Sequence, residues 1–116
     1  MDPADRPAPD RRRDLFGGRG EVRVWSLLRA PAPPFTAALR CELDPGGRVG
    51  RHVQQAFPEL VIGVAGVGEA IVGGVRHPLA AGDLVYLPLG EILEIHNLSG
   101  EVALEYLIIK ARGDGR

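Results

Sequence analysis

Three polar side chains that could do chemistry together lie close in the sequence. His52 and Gln54 stand two positions apart, and Glu59 follows at the start of the next apolar run. Alternate residues of a β-strand point to the same face, so we expect His52 and Gln54 to share a face and Glu59 to meet them from the next strand. These groups could orient a small ligand, or His52 and Glu59 could form an acid–base pair with Glu59 as the base.

The other candidates for chemistry stand alone. Cys41 is the sole cysteine, which excludes an intrachain disulfide, and its place in an alternating run predicts a small buried side chain. His77 precedes a proline and is expected at the surface. His96 is expected on the strand face opposite to Leu93, unless a bulge turns it inward. The sequence contains no nucleophile elbow, no phosphate-binding loop and no cysteine cluster.

Length, composition and charge narrow the function further. The chain has 116 residues, enough for one domain, and is 45% hydrophobic and 25% charged, as is typical of globular proteins. A formal net charge of −1 gives no basic field for nucleic acid or for an anionic membrane, so we expect neither as a partner. No apolar run is long enough for a signal peptide or a membrane span, and we therefore expect a bacterial-type cytoplasmic protein.

Turn residues divide the chain into many short apolar runs. Residues 1–19 are rich in proline, arginine and aspartate and predict a mobile, extended tail whose end is anchored by Phe16. Residues 20–112 lack a 3.6-residue apolar period, which predicts a single all-β domain, a sandwich or a closed barrel. Residues 113–116 are expected to form a C-terminal tail. The predicted strands are 21–28, 35–43, 51–55, 59–65, 69–72, 75–79, 84–87, 92–98 and 101–109, with the last two joined as a hairpin at 99–100.

The spacing of residues 82–97 resembles one of the two sequence motifs of the cupins, the double-stranded β-helix barrels. Gly82 is followed by five residues, then by Pro88 and Gly90 with one residue between them. Leu93 comes after two further residues, and Asn97 after three more. Every position of the motif agrees except that of Leu93, where the family has a histidine.

The other cupin motif is matched in part by residues 46–66. Five residues separate Gly46 from His52, Glu59 follows at the family spacing, and Gly66 ends the motif after six further residues. Gln54 occupies the position of the family's second histidine. Together the two motifs cover about half of the chain, and the agreement of two separate spacings favours a common fold.

This resemblance implies a cupin double-stranded β-helix, a jelly-roll-like barrel, over residues 20–112. In the family, three histidines and one glutamate hold a metal ion, and only His52 and Glu59 of that set remain here. We therefore predict an eroded metal site without a cofactor. Divalent transition metals usually need three or four protein ligands. The alternative is therefore a weakly held ion on the three remaining candidates, His52, Gln54 and Glu59.

The lumen of such a barrel should be more apolar and roomier than that of a metal-bearing cupin. We expect it to bind a small molecule or to be non-catalytic. One alternative is a metal-dependent enzyme of the dioxygenase or isomerase type, and a second is a structural or regulatory partner subunit. The predicted ligand pocket consists of His52, Gln54, Glu59, Leu93 and Gly63.

Apolar surface predicts a second copy of the chain as a partner. The run 104–109 is apolar on both faces near its end, so it is either a central strand or covered by another molecule. One-domain cupins commonly dimerise, and the resemblance therefore implies a homodimer. The strand 21–28, which carries Trp25, is a candidate to pair with the partner's sheet.

Overall fold

The computed structural model describes residues 8–112, and every structural statement below refers to that range. These residues form strands, turns and one short 3₁₀ turn at Leu15–Gly17. No helix in this range is long and apolar enough to cross a membrane. The strands are β1 (Asp10–Arg13), β2 (Glu21–Ser26), β3 (Phe35–Leu43), β4 (Arg48–Val53), β5 (Glu59–Ala65), β6 (Val67–Val72), β7 (Val75–Ala80), β8 (Leu84–Leu87), β9 (Ile92–Asn97) and β10 (Leu104–Ala111).

The strands form two antiparallel sheets that face each other. One sheet has the order β1-β2-β3-β10-β5-β8 and the other the order β4-β9-β6-β7. The inward side chains of both sheets form one hydrophobic core. In β9, for example, Leu93, Ile95 and Asn97 are buried and alternate with half-exposed Glu94 and His96. The prediction of an all-β barrel is confirmed.

The predicted hairpin between the last two strands is wrong. Strand β9 pairs with β4 and β6, whereas β10 pairs with β3 and β5 in the opposite sheet. The side chain of Asn97 holds this crossing, because its Nδ2 donates to the carbonyls of Leu43, Asp44 and Val102 and its Oδ1 accepts from the amide of Ser99. The connection 98–103 therefore changes sheets here and does not fold back within one.

Strand β10 lies in the centre of the six-stranded sheet, between β3 and β5. This central position explains in part why β10 is apolar on both faces. Strand β2 is flanked on both edges by β1 and β3 of the same chain. The expectation that residues 21–28 pair with a partner's sheet is thus wrong, because both edges of that strand already form backbone hydrogen bonds.

The prediction of a mobile tail up to residue 19 is wrong from residue 10 onwards. Residues 10–13 form β1, paired with β2, and the turn at 15–17 lies against β4. The backbone of Arg19 exchanges two hydrogen bonds with that of Arg48, both 2.8 Å long. Such backbone pairing leaves no apolar pattern in the sequence. The remainder of the two predicted tails, 1–7 and 113–116, lies outside the described residues.

Candidate functional site

A cavity of about 270 Å³ lies between the two sheets. Its walls are mostly apolar, and they come from both sheets. Four polar side chains also line it, and we refer to these as the cavity cluster: His52, Gln54, Glu59 and Lys110. The apolar side chains of the wall include Val22, Val24, Leu39, Val49, Leu93, Ile95 and Ile108. Of the predicted pocket residues, the structure brings together His52, Gln54, Glu59 and Leu93.

His52 reaches the cavity because β4 is irregular. Val49 and His52 both line the cavity, although a spacing of three would place them on opposite faces of a regular strand. The register of β4 against β9 shifts between these two residues, and His52 then stands opposite Leu93. His52 Nδ1 lies 3.0 Å from the carbonyl oxygen of Gly50. A carbonyl can only accept, so Nδ1 carries the proton and Nε2 is the nitrogen left for a ligand.

Glu59 is the buried acid of the cluster, with 4% of its surface exposed. Its Oε2 accepts a hydrogen bond from Gln54 Nε2 and lies 3.7 Å from the ammonium of Lys110. Burial raises the pKa of Glu59 above its ordinary value, and the charge of Lys110 opposes that rise. The carboxylate is therefore held by an amide and a cation and is costly to ionise without them.

Lys110 is the site residue that the sequence analysis missed. It stands directly opposite Glu59 in the register of β10 and β5. It is also the sole lysine of the chain and continues the alternation of Tyr106 and Ile108, which line the same cavity. That alternation, extended by two residues beyond the apolar run, is the signal that could have found Lys110.

Gly63 is the predicted pocket residue that the structure places elsewhere. A Cβ on Gly63 would lie 2.0 Å from the carbonyl oxygen of Ala80, so this position serves the close approach of β5 and β7. Gly63 does not line the cavity, and its missing side chain adds no room to the lumen. The prediction that it belongs to the pocket is therefore wrong, because its inward face meets backbone.

Cys41 lies in the cavity wall opposite Tyr106 on β10. Its predicted burial is confirmed, with 2% of its surface exposed. Burial raises the pKa of the thiol to about 12 and that of the Tyr106 phenol well above its usual value. Both groups are therefore neutral at physiological pH, and Cys41 lacks the thiolate character of a nucleophile.

The other two histidines do not line the cavity. His96 lies near the carboxylates of Glu94 and Glu69, with closest nitrogen–oxygen distances of 3.3 and 3.8 Å. It alternates with buried Leu93, Ile95 and Asn97 and so faces away from the lumen, as expected. The alternation of β9 thus leaves His52 as the imidazole of this site.

The metal site implied by the family resemblance does not fit the residues present. Leu93 offers no donor atom, and the Oε2 of Glu59 is engaged by an amide and by the ammonium of Lys110. In residues 8–112 no three histidine, cysteine, aspartate or glutamate side chains form a group that could hold a metal ion. A cation in direct contact with the remaining carboxylate disfavours a second cation there.

Comparison with known proteins agrees with the fold. The family described as "Cupin domain" matches residues 39–110. The chain is 34% identical over 103 residues to an "Oxalate-binding protein" of Thermotoga maritima, which covers 87% of this chain and 84% of that protein. The solved structure of a "predicted oxalate decarboxylase" from Thermotoga maritima is 29% identical, with a TM-score of 0.84, covering 94% of this chain and 95% of that one.

A more distant structure shows the same fold. A cupin 2 conserved barrel domain protein from Salinispora arenicola is 24% identical to this chain, with a TM-score of 0.70. The alignment covers 97% of this chain and 86% of that one. At this identity the likeness concerns the fold alone.

Proposed function

Since this chain belongs to the cupin domain family, we propose that its barrel binds a small organic molecule in the lumen through the cavity cluster, without a resident metal and without catalysis. One observation carries this proposal. A buried carboxylate, Glu59, lies beside the ammonium of Lys110 in the wall of a cavity of about 270 Å³. That volume is near the lower end of the range for small-molecule sites, which are largely apolar with a few placed polar groups.

The cavity cluster offers a ligand both donors and acceptors. The second oxygen of Glu59 and the Nε2 of His52 can accept hydrogen bonds, and the ammonium of Lys110 can donate beyond its contact with Glu59. The rest of the wall is mostly aliphatic. This combination supports a compact ligand with an apolar body and one polar end.

The relative named for oxalate binding provides a contrast. Oxalate is a small dianion without an apolar part, and its charges would need unpaired cations or a metal. In the lumen described here the ammonium of Lys110 already faces the carboxylate of Glu59, so little positive charge remains. We therefore propose that this chain prefers a less charged, more apolar ligand than oxalate.

The proposal for binding over catalysis follows from the state of the reactive groups. The thiol of Cys41 is protonated, and the carboxylate of Glu59 is engaged by Gln54 and Lys110. An enzyme of the dioxygenase or isomerase type would need a metal on His52, Gln54 and Glu59, and that set lacks a donor at position 93. The lumen supports recognition better than it supports chemistry.

The first experiment measures metal content by mass spectrometry on tag-free protein that has not met a chelator. We expect no stoichiometric metal, and none after addition of iron, manganese, nickel or zinc. The double variant Gln54→His with Leu93→His restores the family's ligands and should gain metal binding that calorimetry detects. Near one metal ion per wild-type chain would overturn the metal-free proposal.

A thermal-shift screen tests the ligand class. Oxalate is compared with butanoate and with butanamide, which share a short apolar body and one polar end. We expect the monofunctional compounds to raise the melting temperature more than oxalate does, because only they match the aliphatic wall. Stabilisation by oxalate alone would contradict the proposed ligand class.

We also propose that the chain is a homodimer. The outward face of the six-stranded sheet carries a row of partly or fully exposed apolar side chains, of which Leu84 and Tyr86 are the most exposed. A face of this kind is unusual on a monomer and fits an interface between copies. The other residues of the row are Leu60, Ile62, Leu107 and Ile109. Sedimentation velocity at micromolar concentration should show a dimer, and a pure monomer would overturn this.

A further inference from the structure

Residues 10–18, which we call the strap, complete the wall of the cavity. Leu15 and Phe16 both line it, and the ring of Phe16 stacks on that of His52 with centroids 4.2 Å apart and planes 15° apart. Phe16 is 55% exposed, so its ring stands where the cavity meets solvent. A molecule that enters on this side must pass the Phe16 ring.

Few buried contacts hold β1, the first part of the strap, in place. All four residues of β1 are exposed, and β1 is an edge strand that pairs with β2 alone. Its ion pairs, Arg11 with Glu21 and Arg12 with Asp10, have exposed arginine side chains and contribute little. Segments with exposed backbone hydrogen bonds and few apolar contacts open at low free-energy cost.

The backbone of the strap is strained. Asp14 and Phe16, with φ of 50° and 55°, are the non-glycine residues with positive φ in the described part of the chain. Such strain persists only where the surroundings impose it, and it is typical of functional loops. The strap also lies beside a groove of about 270 Å³, lined by Gly17, Gly18 and Arg48 among others.

From these observations we infer that the strap is a movable wall of the cavity and that Phe16 is the specificity-determining residue that limits the size of molecules entering the lumen. This inference rests on the proposed binding function of the lumen. Opening swings the Phe16 ring off His52 and widens the entrance, and closing traps the bound molecule. The strands of the barrel keep their pairing, and Leu15 is the strap side chain that packs against their hydrophobic core.

Cys41 reports on this opening without any ligand. It is the sole cysteine and lies buried in the cavity wall, so intact-mass spectrometry of the folded full-length chain counts its modification directly. The reagents are methyl methanethiosulfonate, which is small, and N-benzylmaleimide, which is larger. Phe16→Ala should speed the reaction with the larger reagent about tenfold and that with the smaller one less, because the ring limits size.

A second variant moves the strap without touching Phe16. A Cβ on Gly18 would lie 1.9 Å from the carbonyl oxygen of Arg48, so the strap of Gly18→Ala cannot pack against β4 as it does in the wild type. The reactions of Cys41 with both reagents should therefore become faster. Two matched controls change the same residue types elsewhere. Phe35→Ala removes a ring that is 49% exposed, and Gly100→Ala adds a methyl group with no atom within 4 Å. Neither control should change the rate.

The outcomes separate cleanly. Unchanged rates of Cys41 modification in both strap variants would overturn the inference. Equal acceleration in the control variants would also overturn it, because Cys41 would then react through global unfolding. Urea denaturation of each variant checks the second case. No ligand enters this experiment, so its failure is distinct from a failure of the proposed binding function.

Discussion

Two buried polar side chains stand at motif positions of this chain, and they are held in opposite ways. Asn97, 5% exposed, has its amide saturated by three backbone carbonyls and one backbone amide. Glu59, 4% exposed, is held by two side chains, Gln54 and Lys110, in the wall of a cavity. Asn97 donates to the carbonyl of Asp44, and the carboxylate of Asp44 pairs with Arg23. We call these three residues the closed corner.

The difference separates scaffold from site. Backbone groups cannot be exchanged by mutation, so a side chain that satisfies them fixes the fold and leaves nothing for a ligand. Side-chain partners can be exchanged one at a time, and the cavity cluster still has donors and acceptors to offer. Gln54 and Leu93 make none of the hydrogen bonds of the closed corner, so changes at these two positions leave the contacts of Asn97 intact.

The largest expected effect is at the closed corner. Asn97→Ala removes the donor from the buried carbonyl of Leu43, leaves the Asp44 carbonyl with the amide of Gly47 alone, and should lower the free energy of unfolding by roughly 3 kcal/mol. Urea denaturation at neutral pH measures the change. Ser99→Ala is the control, because its exposed hydroxyl accepts from the amides of Glu101 and Val102 and its loss should cost less than about 1 kcal/mol. Equal losses of unfolding free energy in Asn97→Ala and Ser99→Ala would contradict the special role of Asn97 in the scaffold.

A smaller, pH-dependent effect is expected in the cavity cluster. Lys110→Met removes the cation beside Glu59 and should lower the free energy of unfolding by about 1–2 kcal/mol at pH 7. The folded state already raises the pKa of Glu59, so ionisation of Glu59 costs stability as the pH rises from the unfolded value through the folded one. Without Lys110 the folded pKa rises further, and the deficit of the variant should grow with pH over that window.

Urea denaturation at pH 4 and pH 7 tests this dependence. The double variant Glu59→Gln with Lys110→Met has no carboxylate to ionise and should show no growth of the deficit with pH. A deficit of Lys110→Met that is the same at both pH values would show that Lys110 contributes by packing and not by its charge.

The smallest effect is expected at the exposed edge of the closed corner. Asp44 accepts the amide of Glu21 and pairs with the Arg23 guanidinium at 2.9 Å, and these two contacts hold the pKa of Asp44 below its usual value. A lowered pKa gives stability that is present above the unfolded value and is lost as the pH falls through the folded value. Asp44→Asn should therefore cost less than about 1 kcal/mol at pH 7.

Acid removes that difference. Below the folded pKa the wild-type carboxyl is protonated, so Asp44→Asn and wild type should have the same free energy of unfolding there. Urea denaturation at pH 7 and at a series of decreasing acidic pH values provides the measurement. A deficit that persists in acid would assign the effect to the hydrogen bond with Glu21 and not to the charge on Arg23.

The sequence predicted the barrel and four of its pocket residues because the motif spacings are local. The two motifs, residues 46–66 and 82–97, are enough to predict which side chains point into the barrel. These are His52, Gln54, Glu59 and Leu93. Lys110 lies outside both motifs, and its contact with Glu59 depends on the register between β5 and β10, which are separated by four other strands along the chain. Such a long-range register is not readable from composition or spacing.

The errors have equally physical causes. Gly63 lies on the inward face of β5, as a pocket residue would, but the backbone of Ala80 fills the space in front of it. The strap has no apolar alternation because it is held by backbone pairing, so its arginine-rich sequence predicted a tail. Residues 99–100 have the composition of a hairpin turn, but the connection spans residues 98–103. The hydrogen bonds of Asn97, together with the one from the Gly46 amide to the Ser99 carbonyl, direct it to the other sheet.

The position of Lys110 also decides how the protein can be handled. Apart from the amino terminus, it is the sole primary amine in a chain whose other basic side chains, histidines aside, are arginines. Amine-coupling to a sensor chip or to a fluorescent dye will therefore attach at the amino terminus or at Lys110, whose side chain is 33% exposed in the cavity wall. Immobilisation through Lys110 would block the pocket, whereas protection of that residue from acylation by an added compound would indicate that the pocket is filled.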